Sequence, residues 1–297
     1  MDKILMAQVG VDWLTATSFS QSFFNAASRI LGTLETAGPF ERYEAELMQY
    51  KGMGYFNVDR KRMAFLGKGM QKCELHTMLR VSGYTADEVF RRLMQEEKLR
   101  FSVSRLDLQL TFPAEGELSA NLWRDFHEKQ HAHESGRGTR KRGVTLISNN
   151  EEGNTLYVGS RRSERFVRVY EKSIESGASS SSVRLESELK GRVPDRVVEE
   201  CRADGIDETL VNVLNSISEG LVDHSLIEMH KKFLLAAASG SIPLGGRIAT
   251  TPSSSLLWFG EACLGVADRL LACEETRETF IHYVDELSDK CLEHKEV

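Results

Sequence analysis

No run of about 18 apolar residues occurs in this chain, so a membrane-spanning helix is not expected. The opening stretch Met-Asp-Lys-Ile-Leu-Met-Ala-Gln lacks the apolar core of a secretory signal. Cysteine is sparse: Cys73, Cys201, Cys263, Cys273 and Cys291 are odd in number and scattered, with no Cys-x-x-Cys pair. That pattern argues against a disulfide framework and a structural zinc site, and fits a reducing cytoplasm. No Gly-x-x-x-x-Gly-Lys-Ser/Thr loop is present, which argues against ATP hydrolysis. Gly67-Lys-Gly69 reads as a turn too short to cradle a nucleotide. Leu244-Gly-Gly-Arg247 follows a helical pattern rather than the strand that a phosphate loop needs. No internal repeat is visible.

What remains is an ordinary composition with an uneven charge. The 297 residues, 41% hydrophobic and 28% charged, suffice for a sizeable core and one or two domains. The net charge of −6 does not advertise a nucleic-acid binder. Its distribution is more telling: residues 137–172 hold nine Lys/Arg against four Asp/Glu, and the chain from Glu274 onward is acidic. Such a chain can engage phosphate on one face; a solvated arginine-rich loop gives the same count.

The first two-thirds alternates short strands and helices. Strand patterns cover Gln8–Thr17, Tyr55–Val58, Met63–Leu66, Glu74–Val81 and Ser102–Phe112. Residues 19–35 and Leu118–His133 read as helices. Thr85-Ala-Asp-Glu88 reads as a capping box that opens a helix to about Leu99. Two hairpins follow: Gly143–Ser148 with Thr155–Gly159, and Phe166–Ile174 with Val183–Leu189, the latter joined by the Ser-rich stretch 176–182. After Pro194 the pattern turns helical: Asp195–Ala203, Glu208–Ser218, His224–Ala238, Ser254–Leu271 and Glu275–Leu292, with 239–253 as a loop. The expected fold class is α+β: a mainly antiparallel curved sheet with flanking helices in residues 1–194, then a helical region in residues 195–297.

Three strands carry polar residues at period two, the spacing that keeps side chains on one face of a sheet. They are Arg105, Asp107 and Gln109; Arg168, Tyr170 and Lys172; and Arg184, Glu186, Glu188 and Lys190. Between them run Leu106, Leu108, Leu110, Val167, Val169, Leu185 and Leu189, a row for the core. Asp107 and Glu186, with Glu188, are hard oxygen donors suited to Mg²⁺ or Mn²⁺. Tyr170 is a nucleophile once Lys172, Arg168 or a metal favours its phenolate. Arg184 or Arg105 can grip phosphate oxygens in a bidentate fork. The bland readings stand beside these: Tyr170 as packing, Asp107 paired with Arg105 or Arg184, and the Arg–Glu pairs as cross-strand salt bridges. Arg137, Arg140, Lys141, Arg142, Arg161, Arg162 and Arg165 are the candidate DNA contacts. His131-Ala-His133 matches a metal-binding His-x-His pattern, but it sits on a helical stretch where positions two apart face different ways, so structural histidines are expected.

At these residues the chain resembles a known family. Thr155-Leu-Tyr-Val-Gly-Ser-Arg-Arg-Ser-Glu-Arg-Phe-Val-Arg-Val-Tyr-Glu-Lys172 looks like the signature of the replication initiation factor family, the Rep-trans group of rolling-circle initiators with related relaxases. Ser104-Arg-Leu-Asp-Leu108, Val183-Arg-Leu-Glu-Ser-Glu-Leu-Lys-Gly191 and Val11-Asp-Trp-Leu-Thr15 resemble its other segments, and the similarity runs over roughly residues 8–260. The resemblance implies that Tyr170 nicks DNA and keeps the 5′ phosphate, with Asp107 and Glu186 holding metal. The family often has a second acid four residues after the first. Here that position is Thr111, so Glu188, Glu175 or water completes the shell. The expected function is rolling-circle initiation at origin DNA, with a host helicase and a second copy of the chain as further partners. The alternatives are a conjugative relaxase at a transfer origin and a non-catalytic DNA-binding regulator.

Overall fold

The computed structural model describes residues 8–37, 41–56, 62–71, 74–114, 118–138, 141–149, 153–172 and 181–238. The chain divides into two units, 1–246 and 247–297, and every described residue lies in the first. The expected helices at 254–271 and 275–292, the loop at 239–253 and most of the Ser-rich stretch lie outside the described residues.

Among the described residues are ten strands: β1 Gln8–Ser18, β2 Glu41–Leu47, β3 Tyr50–Phe56, β4 Arg62–Gln71, β5 Glu74–Ser82, β6 Ser102–Pro113, β7 Val144–Asn149, β8 Gly153–Val158, β9 Arg165–Glu171 and β10 Ser182–Lys190. Six helices accompany them: α1 Gln21–Ala37, α2 Tyr84–Met94, α3 Ala120–Ser135, α4 Val193–Asp204, α5 Ile206–Glu219 and α6 Ser225–Ala238. The strands form one antiparallel sheet in the order β2-β3-β4-β5-β1-β6-β10-β9-β8-β7, which does not close. The protein is α+β, as its alternation of patterns predicts. None of the described helices is long and apolar enough to cross a membrane.

The core follows from the period-two rows. Leu106, Leu108 and Leu110 of β6, Leu185 and Leu189 of β10, and Val167 and Val169 of β9 are buried in one cluster with Phe90 of α2, Trp123 and Phe126 of α3, and Leu210 and Leu214 of α5. Alternate residues of the same strands point to the opposite face. Each fully buried Leu or Phe contributes roughly 1.5–3 kcal/mol, so these rows hold the polar face in register.

The structure corrects four expectations. The Thr85–Glu88 capping box does not form: the N-cap of α2 is Gly83, without a side-chain cap, and Thr85 Oγ1 is buried with no partner among the described residues. Asp87 turns away to accept the backbone N–H of Val11 at 3.0 Å, and a Cβ on Gly10 would meet Asp87 Oδ1 at 2.9 Å. The α2 helix stops at Met94, short of Leu99. Gly67 and Gly69 lie inside β4 rather than in a turn; Gly67 pairs with Gly52 of β3, and a Cβ there would meet the Phe65 ring at 2.4 Å. Finally, the strand pattern does not predict β2 (Glu-Arg-Tyr-Glu-Ala-Glu-Leu), because an exposed edge strand buries no apolar row to betray it.

One core residue sets a pH response. His230 of α6 is fully buried beside Phe112, ring centroids 6.0 Å apart, and neither ring nitrogen has a hydrogen-bond partner among the described residues. Burial drives its pKa down to about 3, whereas an unfolded histidine titrates near about 6.5. Below about pH 6.5 the unfolded chain therefore takes up a proton that the folded chain refuses. This contribution is full above that pH and is lost progressively as pH falls toward 3, about 2 kcal/mol by pH 5. Thermal melts of His230→Leu between pH 6.5 and 5 should show a flatter fall in Tm than the parent chain; an equally steep fall would remove His230 as its source.

Candidate active site

The polar face is built where β6, β10 and β9 lie side by side. Glu186 sits opposite Gln109 on one neighbour and Arg168 on the other, Glu188 opposite Asp107, and Arg184 opposite Thr111 and Tyr170. The sequence-predicted set Asp107, Arg168, Tyr170, Arg184, Glu186 and Glu188 therefore shares one face, close enough for direct contact.

Arginines thread between the carboxylates. Arg105 donates a fork to Asp107, Nε to Oδ1 at 2.8 Å and Nη2 to Oδ2 at 2.6 Å, and also reaches Glu188 Oε2 at 3.1 Å. Arg168 Nη2 lies 3.3 Å from Asp107 Oδ2 and bonds Glu186 Oε1. Arg184 donates to Thr111 Oγ1 at 2.7 Å and to Asp12 Oδ1 at 2.9 Å. Lys190 pairs with Glu188. The Tyr170 hydroxyl donates to Glu186 Oε2 at 3.3 Å, and Lys172 Nζ stands 5.9 Å from the centre of the Tyr170 ring. Asp107 and Glu186 are 1% and 3% exposed. Burial pushes the Asp107 carboxyl up in spite of the Arg105 fork. It pushes Glu186 up to about 7 against the pull of Arg168, with Asp12 and Asp107 adding like-charge repulsion. The salt-bridge reading of Asp107 is thus realised with Arg105, and Arg184 pairs elsewhere.

Among the described residues no group of three or more His, Cys, Asp or Glu side chains is placed to hold a metal ion unaided. Two carboxylates nevertheless converge on a single point, the Arg168 Nη2. Magnesium is commonly held by one or two carboxylates plus water and substrate phosphate, so Asp107 and Glu186 fit a divalent cation of that kind once Arg168 gives way. Glu175 lies outside the described residues.

Asp12 is a site residue that the period-two rows do not reveal. Register slips between Val11 and Trp13 where β1 meets β6, and the bulge turns Asp12 toward Arg184. A signal for it exists in the chain: apolar core positions run Val9, Val11, then Leu14, Ala16, a skipped beat that marks a bulge. Trp13 lies between two guanidinium groups, Arg105 at 4.3 Å and Arg80 at 4.2 Å from its ring.

The Gly-Ser-Arg-Arg-Ser segment makes the turn between β8 and β9. Gly159 has φ 102, a backbone state that favours glycine. Ser163 Oγ bonds the carbonyls of Ser160 and Arg165, and Ser160 Oγ accepts the Arg162 N–H at 3.2 Å. The turn leaves Arg161, Arg162 and Arg165 exposed, with Arg161 5.8 Å from the Tyr157 and Phe166 rings. Lys141 is exposed as well, and Arg140 lies outside the described residues. Arg142 is engaged within the fold, bonding the buried Glu134 and the Gly220 carbonyl; Arg137 also reaches that carbonyl, at 3.0 Å. His131 and His133 are on α3 as expected, and His133 contacts Arg137.

No curated protein matches the chain. A solved structure, the rolling circle replication initiator protein from Geobacillus stearothermophilus, is similar in fold: TM-score 0.51 and 19% identity over 80% of this chain and 97% of that one. Residues 101–225, the stretch that supplies β6, β9 and β10 and with them Asp107, Tyr170 and Glu186, match the family of replication initiation factors.

Proposed function

We propose that the chain initiates rolling-circle replication by nicking and rejoining one strand of origin DNA through Tyr170. The observation that carries this reading is the Tyr170 hydroxyl donating to Glu186 beside Arg168. As the acceptor of that hydrogen bond, Glu186 is aimed to take the phenolic proton. The Tyr170 oxygen then bonds to phosphorus. The bond from phosphorus to the 3′ oxygen breaks, and its electron pair leaves with that oxygen, which takes up a proton. The products are a 5′-phosphotyrosine and a free 3′ hydroxyl for a polymerase; the reverse reaction rejoins the strand. On this reading Arg184 and Arg105 would steady the non-bridging oxygens. Asp107 and Glu186 would hold Mg²⁺ or Mn²⁺, which would polarise the phosphodiester. Incubation with supercoiled origin DNA and Mn²⁺ should give a covalent protein–DNA adduct. Binding without adduct would favour the regulator.

Phosphate contact beyond the nick is assigned to Arg161, Arg162, Arg165 and Lys141, all exposed. Each lost contact should flatten the slope of log affinity against log salt by roughly 0.7 to 0.9. Arg161→Ala with Arg162→Ala should thus weaken origin and random DNA alike. A loss confined to the origin would make this turn a base reader, and an unchanged slope would take it off the DNA.

A further inference from the structure

A second site lies on the same face of the sheet, where the end of β1 meets the start of β6. It is a cavity of about 730 Å³ lined by Phe19, Tyr50, His76, Arg100, Phe101 and Ser104 among others. That volume is in the range of sites for small organic groups. Its lining combines aromatic rings, hydroxyls and one exposed cation, Arg100. Phe19 is 54% exposed, with its ring centroid 4.4 Å from that of His76. Beneath it the Tyr50 hydroxyl and His76 Nδ1 share a hydrogen bond of 2.7 Å. Burial keeps His76 below its ordinary pKa. With Tyr50 as the donor, the neutral ring carries its own proton on Nε2. The walls are fixed from below: Ser18 Oγ donates to the Arg100 carbonyl at 2.7 Å and accepts the Ser20 N–H at 3.1 Å.

The position of this cavity relative to Tyr170 gives it meaning. Val103 and Leu106 of β6 are core residues, and Ser104 and Arg105 between them face away from the core, because the strand pairing slips there. From Ser104 the polar face runs through Arg105, stacked on Trp13, to Asp107. At about 3.3 Å per residue the path to Asp107 is about 10 Å long. Tyr170 lies farther on, level with Thr111 and two strands over, about 25 Å from Ser104, a span of several nucleotides of single-stranded DNA. Duplex bases are stacked on one another and present no open face to a ring-lined cavity; an unpaired base does.

We infer that this cavity takes an unpaired nucleobase of the single strand, several nucleotides from the scissile phosphate, stacked against Phe19 with its phosphate near Arg100. The inference rests on the nicking reading for its choice of ligand, but it is tested by binding alone. The probes are a fluorescein-labelled oligothymidylate and an abasic oligonucleotide of equal length and charge, titrated against the Tyr170→Phe protein with and without Phe19→Ala. Stacking on an aromatic side chain is worth ≈ 1–3 kcal/mol per base, so Phe19→Ala should weaken oligothymidylate binding roughly five- to 150-fold and leave the abasic strand within about twofold. Phe19→Trp should retain the affinity for oligothymidylate. Equal losses on both probes, no loss on oligothymidylate, or no binding of it at all would overturn the inference. If it fails while the parent chain still forms adduct, the cavity assignment falls and nicking stands. A base-dependent loss without any adduct would keep the cavity assignment and remove nicking.

Discussion

Tyr170→Phe removes the covalent protein–DNA adduct, by at least roughly 10⁴-fold as expected for loss of a nucleophile, and leaves origin affinity within about twofold. The substitution keeps the ring and its contact with Lys172 and deletes only the oxygen that donates to Glu186. Since Tyr170 is half-buried on a strand paired on both sides, the variant should melt close to the parent chain. Denaturing gels of labelled DNA ends report the adduct, and fluorescence anisotropy reports affinity. Adduct persisting in the variant would transfer the role to Tyr157, which sits opposite Arg168 on the neighbouring strand.

The second large effect is expected at Asp107. Asp107→Asn keeps the shape and removes the charge that holds both Arg105 and Arg168. If Asp107 and Glu186 share a divalent cation, nicking at limiting Mn²⁺ should fall by about 100-fold or more, the few kcal/mol that such a cation supplies to developing charge. DNA binding, assigned above to the exposed arginines, should change by no more than about threefold. Raising Mn²⁺ should recover part of the lost rate, and chelation with EDTA should abolish nicking in the parent chain. An Asp107→Asn protein that nicks normally at limiting Mn²⁺ would leave Asp107 as a partner for arginine only.

The strands that build the site are legible in the sequence because each has one apolar row. The alternation Leu106, Leu108, Leu110 against Arg105, Asp107, Gln109 can be satisfied in only one orientation. Which cation each acid chooses is not legible. Periodicity assigns a face and says nothing of distance along it, so only the register divides Asp107 between Arg105, Arg184 and a metal. A bulge hides Asp12, and β2 is hidden by having no buried side at all. Charge density counts Arg137 and Arg142 among phosphate contacts; Glu134 pairs with both, drawing Arg142 into the fold while Arg137 stays exposed. That acid lies on the same stripe of α3 as Trp123, Phe126 and Gln130, a spacing of three, four and four that by itself places it inside.

The strand order has a consequence for biosynthesis. Until Ser182–Lys190 is made, the growing chain can form one sheet ending at β6, which carries Asp107, and a separate meander of β7, β8 and β9, which carries Tyr170. Among the described strands these share no hydrogen bonds with each other, and β10 bonds to both. This strand, the last of those described to leave the ribosome, is therefore the one that zips the two edges together, and it brings Glu186 with it. A nascent or truncated chain that lacks it has a tyrosine and an aspartate on separate pieces, and on the nicking reading proposed above it has no means of cutting the DNA around it.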